Sequence, residues 1–298
     1  MSQLIHYTNC PVCNSPEIRN VLSAKDYTVS GENFTIAECS SCTLRFTQNV
    51  PDAESISPYY KSENYISHSN TSKGLINRLY QSVRKITLKQ KRKLVEKFTD
   101  TKKGALLDVG SGTGGFVSEM QQQGWQVTGL EPDADARKVS KEVNGIELAD
   151  INQFFSLNAK SYDAITMWHV LEHVHDLQVY ISQLKNLLKD NGKIFIAVPN
   201  YTSKDAAIYK EFWAAYDVPR HLYHFSPQSV KILMEQHGLK LLKHKPMWFD
   251  SFYISMLSSK YKNEKTNLFA AFFNGLRSNL KVISDVKRGS SVIYIIGK

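Results

Sequence analysis

The spacing of apolar residues changes several times along this chain, and each change marks an element. Ala105, Leu106 and Leu107 form a short apolar run that ends at Asp108. A turn dense in glycine follows (Gly110, Gly112, Gly114, Gly115), after which Phe116, Val117 and Met120 recur at helical spacing. The pattern predicts strand, tight turn and helix, the opening of a doubly wound α/β domain. Val127 to Leu130 is a second apolar run, and Ala134 to Val143 reads as a helix. Further strands are predicted near Ile146 to Ala149, over Tyr162 to Trp168 and over Lys193 to Val198, the last stopped by Pro199. A helix over Leu177 to Leu188 closes on Asp190-Asn-Gly192, and Ser226-Pro227 opens another. Leu239 to Lys245 and Ser291 to Ile296 complete seven strands. Upstream, Leu75, Leu79, Val83 and Ile86, continued by Leu94, Val95 and Phe98, predict a long amphipathic helix. Lys89, Lys91, Arg92 and Lys93 fall on or near its outer face. Before the last strand, Phe269, Phe272, Phe273 and Leu276 predict a helical insertion at about 246–288.

The chemistry begins at the glycine turn. Its glycines permit backbone angles closed to other residues and let a ligand come close to the main chain. Gly110, Gly112 and Gly115 also fit the dinucleotide pattern G-x-G-x-x-G, which is weak alone. Asp108 at the mouth of the turn would repel a pyrophosphate but suits a ligand carrying an ammonium group. Glu131, 21 residues past Gly110, stands where an acidic side chain takes both ribose hydroxyls. An adenosine with a positively charged tail and no phosphate is S-adenosylmethionine.

With these residues in place, D-V-G-S-G-T-G (Asp108 to Gly114) resembles the first motif of the class I methyltransferases, and G-L-E-P-D (Gly129 to Asp133) the second. The run Tyr162 to Val174 resembles the F-D-x-I-x-x-x-x-V-L-E-H-V signature of quinone O-methyltransferases and sugar methyltransferases. Trp213 to Phe225 contains P-R-H-L-Y-H-F, similar to the P-R-H-L-x-x-F segment of the same broad family. The resemblance implies a doubly wound, seven-stranded Rossmann-like sheet and S-adenosylmethionine as cofactor. It implies a cofactor set of Asp108, Gly110, Gly112, Gly114, Glu131 and Asp150, with Trp168 and His169 at the end of the fourth strand. It points to Trp213, Tyr216, Arg220 and His224 as substrate contacts, and to His173 and His221 as bases for an oxygen acceptor. His169 to His173 also matches the metalloprotease pattern H-x-x-E-H, but that pattern requires a helix and these residues follow a strand.

All four cysteines lie near the N-terminus, as Cys10-Pro-Val-Cys13 and Cys39-Ser-Ser-Cys42, with 25 residues between the pairs. Two such turns can complete a tetrahedral, four-thiolate zinc site, closed and therefore structural. The expected domains are a zinc-ribbon-like module (1–50), a connector and amphipathic helix (51–100) and the methyltransferase domain (101–298). In the connector, Tyr59, Tyr60 and Tyr65 could fold over a ligand or anchor the loop. The module resembles the metal domain of some sugar C-methyltransferases, whose large C-terminal domain this sequence lacks.

Composition adds bounds. The chain has 298 residues, 42% hydrophobic and 22% charged, with a net charge of +9. No apolar run approaches the roughly 20 residues that span a bilayer, and the N-terminus lacks a secretory pattern, so the expected location is cytoplasmic. Arg84 to Lys103 carries nine basic and two acidic residues, and Lys260 to Lys298 eight and two. Such segments suit nucleic acid, a phosphorylated substrate or a peripheral membrane contact, or merely a solvated face. The expected function is methyl transfer to a small polar acceptor such as a sugar or quinone. The alternatives are an RNA methyltransferase, against which the absence of an N/D-P-P-[YFW] or free catalytic cysteine motif speaks, and a non-catalytic cofactor-binding domain.

Overall fold

The computed structural model describes residues 4–60, 75–263 and 268–298. Tyr65 lies outside these residues, as does most of the expected connector. Two compact units are present. One is drawn from Met1–Tyr65, His169–Ile181 and Ile196–Tyr294, the other from Ile66–Trp168, Ser182–Phe195 and Ile295–Lys298.

The N-terminal residues form short strands: β1 (Leu4–Ile5), β2 (Ile18–Lys25), β3 (Asn33–Cys39), β4 (Arg45–Thr47) and β5 (Val50–Pro51). β2 and β3 make an antiparallel hairpin, and β4 runs antiparallel to β3. The hairpin turn is organised by Asp26, whose carboxylate accepts the backbone N–H groups of Thr28, Val29 and Ser30. Side-chain acceptors of this kind take the place of a regular turn's own bonds.

The long helix α1 (Leu75–Thr99) leads to the strand–turn–helix that the spacing predicts: β6 (Ala105–Val109), then α2 (Gly115–Gln122). Then come β7 (Gln126–Leu130), α3 (Ala134–Asn144) and β8 (Tyr162–Trp168), followed by α4 (Leu177–Leu187) and β9 (Leu188–Pro199). β6 pairs in parallel with β7 on one side and β8 on the other. Both faces of these strands are covered, which is why they read as apolar runs and not as alternation. On one face Val95, Leu106, Phe116, Met120, Trp125, Ala164, Phe195 and Ile295 pack together. On α1, Ile86 is exposed, whereas Arg92 turns inward to pair with Glu96 and Glu119.

The rest of the chain supplies α5 (Lys204–Tyr209), β10 (Tyr223–His224), α6 (Pro227–Gln236) and β11 (Lys240–Pro246). Last come α7 (Asp250–Asn263), α8 (Leu268–Ser284) and β12 (Ser291–Gly297). Helix α6 begins as expected, with Pro227 in its first turn and Ser226 and Ser229 closing a reciprocal cap. β10 pairs antiparallel with β4, so the segment after α5 completes a four-stranded sheet, β10-β4-β3-β2. The insertion is α7 and α8, joined to α5 through the buried Asp205. Its carboxylate accepts from Trp213 Nε1 (2.8 Å), Ser278 Oγ (2.7 Å) and Ser290 Oγ (2.7 Å). Of the insertion's predicted apolar stripe, Phe272, Phe273 and Leu276 are exposed.

The main sheet has the order β11-β12-β9-β8-β6-β7. The strand expected near Ile146 to Ala149 is reduced to one parallel bridge, Leu130 to Ala149. Gly145 ends α3 immediately before it, and Asp150 immediately after it caps a 3-10 turn over Ile151–Ser156. Too few residues remain for a ladder, although Ile146 and Leu148 still point inward and Glu147 outward.

Gly129 in β7 shows how closely this region packs. A Cβ there would run into Leu148 and stand 2.8 Å from Ser111 Oγ. Gly129→Ala should therefore lower stability by about 1–3 kcal/mol through overpacking. Urea unfolding of the variant checks this, and an unchanged midpoint would show that the turn can give way.

Candidate active site

The glycine turn is set by backbone angles. Gly110, Gly112 and Gly114 have φ of 75°, 53° and 74°, a region that residues with a Cβ seldom enter. At Gly114 the side of α3 excludes a side chain, because a Cβ would collide with Ser140 Oγ. At Gly112 a Cβ would instead point into open space, the space that a ligand approaching the main chain needs. Glu131 braces the turn from the end of β7. One carboxylate oxygen accepts the Gly112 N–H at 2.7 Å and the other that of Asp133 at 3.1 Å. The N–H groups of Gly110 and Ser111 donate to the Leu130 carbonyl at 2.8 and 2.9 Å.

Asp108 is buried at the end of β6, and Thr166 on β8 donates its hydroxyl to it at 2.5 Å. Burial pushes its pKa up to about 6, against the lowering effect of the Thr166 and Ser111 hydroxyls. Asp150 accepts the Asn152 N–H and pairs with Arg137 at 2.9 Å. Arg137 also donates to the carbonyls of Glu131 and Pro132. At the end of β8 the Trp168 ring meets Phe116 edge-on, and Lys91 Nζ lies 4.4 Å from its centre. Lys91 therefore faces this side of α1, where the spacing put it near the outer face.

The other unit holds the histidines. His169 has a φ of 60° and is gripped on both sides: Nε2 is 2.9 Å from Asp250 and Nδ1 3.3 Å from Glu172. Burial alone would lower its pKa, but the two carboxylates raise it to about 10. His169 is therefore an imidazolium at neutral pH. His173 ends a 3-10 turn over Leu171–His173, not an α-helix, so the metalloprotease arrangement does not form. Burial and the nearby His221 lower the His173 pKa to about 4. Its Nδ1–H donates to the Arg220 carbonyl at 3.0 Å, with the Tyr60 hydroxyl at 3.2 Å. His221 lies edge-on to it, ring centres 4.6 Å apart, and donates its own Nδ1–H to the Ala215 carbonyl at 2.9 Å.

The four residues expected to touch substrate are all buried, and each has at least one polar partner inside the protein. Trp213 donates to Asp205, and the Tyr216 hydroxyl accepts from Arg45 at 3.0 Å. His224 Nε2 lies 3.0 Å from Thr47 Oγ1 on β4. Arg220 meets Asp217 (2.7 Å), Asp26 (3.0 Å) and the Tyr59 carbonyl (2.8 Å). Through these contacts the segment joins β4 and the β2–β3 turn to the residues before α6. Sequence reasoning missed these partners. Asp26 and Asp217 carry no spacing that announces them, and Arg137 is a helix cation like any other.

The cysteines converge. Cys10 Sγ lies 3.4 Å from Cys42 Sγ and Cys13 Sγ 3.5 Å from Cys39 Sγ, and all four sulfurs fall within 4.8 Å of one another. Four sulfurs each 2.3 Å from a zinc ion would stand about 3.8 Å apart. Each pair sits on a knuckle that ends in a left-handed residue, Asn14 (φ 57°) and Thr43 (φ 62°).

Known proteins match part of this chain. The methyltransferase domain family matches residues 80–244, more than half of the chain. An uncharacterised methyltransferase of Alkaliphilus oremlandii is 33% identical over 110 residues, 36% of this chain and 50% of that protein. A ubiquinone biosynthesis O-methyltransferase of Glaesserella parasuis is 36% identical over 111 residues, 33% of this chain and 47% of that protein. The chain thus spans about half the length of these curated relatives. Among solved structures, the PH0226 protein of Pyrococcus horikoshii has the same fold, with a TM-score of 0.50 at 14% identity over 80% of this chain and 99% of that one. The family match takes in the glycine turn, Asp108, Glu131 and the histidine segment after β8, and the chain belongs to the methyltransferase domain family.

Proposed function

We propose that the chain moves the methyl group of S-adenosylmethionine to a hydroxyl oxygen of a small polar acceptor, a quinone-type ring or a sugar. The observation that carries this reading is Asp108. It is a buried carboxylate at the mouth of the turn, hydrogen-bonded by the Thr166 hydroxyl and within reach of the Lys91 charge. A buried acid of this kind suits the ammonium group of the cofactor. Gly110, Gly112 and Gly114 leave room for close approach, Glu131 suits the ribose hydroxyls, and Asp150, Trp168 and His169 complete the proposed cofactor set. When bound, the cofactor supplies a methyl already activated by a positive sulfur. The chain must then position the acceptor and remove its proton. Positioning can contribute on the order of 7–11 kcal/mol in favourable cases. His173 and His221 are the proposed bases, since both have Nδ1–H fixed on a carbonyl and keep Nε2 for a proton. The ubiquinone O-methyltransferases among the relatives support a ring hydroxyl as acceptor.

Labelled-methyl uptake from S-adenosylmethionine, screened over quinone precursors, activated sugars and RNA, tests the reading. Uptake by a hydroxyl-bearing small molecule is expected. Uptake by RNA alone, or by nothing in the panel despite cofactor binding, would overturn it.

Glu131→Ala removes both the brace on Gly112 and the proposed ribose contact. Cofactor affinity should fall by about 1–3 kcal/mol by calorimetry, and unchanged affinity would exclude Glu131 from the site.

Asp108 makes stability depend on pH in a definite direction. Its folded pKa, about 6, exceeds the ordinary value near 3.9. The stabilising neutral form is therefore complete below about pH 4 and lost as pH rises through about 6. Asp108→Asn should abolish this loss. Its advantage over the native chain in urea unfolding should grow by about 2 kcal/mol between pH 4.5 and 7.5. A constant difference across that range would contradict a raised pKa.

We also propose that Cys10, Cys13, Cys39 and Cys42 hold one structural zinc ion. Metal analysis of protein purified without chelator should give about one zinc per chain, and Cys42→Ser should lose it. A native chain free of zinc but fully folded would count against the assignment.

A further inference from the structure

A cavity of about 730 Å³ opens beside α6, walled by Thr43, the turn after β9, α6 itself, β11 and the 3-10 turn Val286–Arg288. All of these belong to one compact unit. Cavities that hold small ligands run to roughly 300–1,000 Å³. The hydroxyls in its wall are already spent inside the protein. Thr43 Oγ1 shares a hydrogen bond with Ser226 Oγ (2.7 Å), Tyr201 donates to the Thr43 carbonyl (2.6 Å) and Thr202 to Asn200 Oδ1 (2.6 Å). They make a frame and leave the remaining groups to meet a ligand.

Those remaining groups are of two kinds. Lys231 on α6 and Lys287 in the 3-10 turn line the cavity from separate elements, and both are exposed. The one carboxylate among the described lining residues, Glu235, stands 3.7 Å from Lys231 in an exposed pair, which is a weak tie. Ile232 and Leu241, both half-buried, supply an apolar wall. His244 lines the same space, and burial and the Lys287 charge lower its pKa. Its Nε2 is buried without a hydrogen-bond partner, and so is the hydroxyl of Tyr294, whose ring stands edge-on to it at 5.3 Å. Orphaned polar atoms are costly, and a polar ligand seated against the imidazole would offset part of that cost.

We propose that this cavity binds a small phosphomonoester, with its phosphate held by Lys231 and Lys287 and its apolar body against Ile232 and Leu241. Lysine meets phosphate as a point charge, and a phosphomonoester carries close to two negative charges at neutral pH. Two ammonium groups on separate elements match that charge, whereas a carboxylate would leave one of them without a counterion. The site is distinct from the proposed cofactor set and from the histidine pair, and it does not depend on which acceptor is methylated.

Phenyl phosphate is the probe, with inorganic phosphate and benzyl alcohol as its two halves. Binding to the full-length chain is followed by calorimetry, and contact with the phenyl ring by saturation-transfer NMR. One phenyl phosphate per chain is expected, bound at least about fivefold more tightly than inorganic phosphate because of its apolar ring. Benzyl alcohol should bind more weakly than phenyl phosphate. Lys287→Gln, at an exposed position, should weaken phenyl phosphate by at least about threefold and leave S-adenosylmethionine affinity unchanged. Ile232→Ser should weaken phenyl phosphate but not inorganic phosphate. Lys85→Gln, which removes an exposed lysine on α1, controls for net charge. The proposal fails if phenyl phosphate does not bind, if it binds no more tightly than inorganic phosphate, or if Lys287→Gln loses no more affinity than Lys85→Gln.

Discussion

The Arg220 guanidinium sits in the interior, and the unit that contains it is arranged around that charge. Burying an ion carries a penalty of several kcal/mol unless partners are close and well directed. Here Asp217 takes two of its N–H groups, Asp26 a third, and the Tyr59 carbonyl a fourth. Asp26 is also the residue that folds the β2–β3 turn. One cation therefore ties the tip of the N-terminal hairpin, the 3-10 turn at Tyr59 and the loop before β10 to a single point. The Arg220 carbonyl in turn fixes the tautomer of His173, so the same residue that closes the core also orients a candidate functional side chain. Leaving Asp26 buried without the guanidinium would expose the unit to the full penalty of an unpaired charge.

How much of this could be read in the sequence follows from what each residue is for. The glycine turn was legible because its φ values admit almost no other residue, so the composition records the geometry. Asp108 and Glu131 were legible because they sit at fixed distances from that turn. The cysteines were legible because thiolate pairs at that spacing have few other uses. The segment Trp213 to His224 was harder. Aromatic, cationic and imidazole groups suit a ligand pocket and a buried polar seam equally well. Only the partners (Asp205, Arg45, Asp26, Thr47) show that the protein itself occupies those groups. Lys91 was misjudged for a related reason. A helical wheel places a long side chain by its Cα, whereas the lysine stem reaches round to the Trp168 ring.

The short bridge at Ala149 illustrates a further limit. Alternation at Ile146 and Leu148 has the strand period, yet Gly145 and Asp150 hold the segment between a helix end and a 3-10 turn. Periodicity reports which side chains face inward; the number of ladder bonds is decided by the flanking turns.

The pairing of β10 with β4 bears on how this chain can be taken apart. The four cysteines occupy a continuous stretch at one end of the sequence, which invites the view that they form a detachable tag. Yet Tyr223 and His224, far along the chain, form the edge strand of that stretch's sheet, and Thr43 Oγ1 shares a hydrogen bond with the cap of α6. Deleting the first fifty residues would strip a strand of its partner, uncover the rings of Tyr216 and Tyr223 and leave Arg220 without Asp26. The N-terminal stretch and the segment around β10 form one folding unit, and a shortened version would be prone to aggregate through the strand edge it newly exposes.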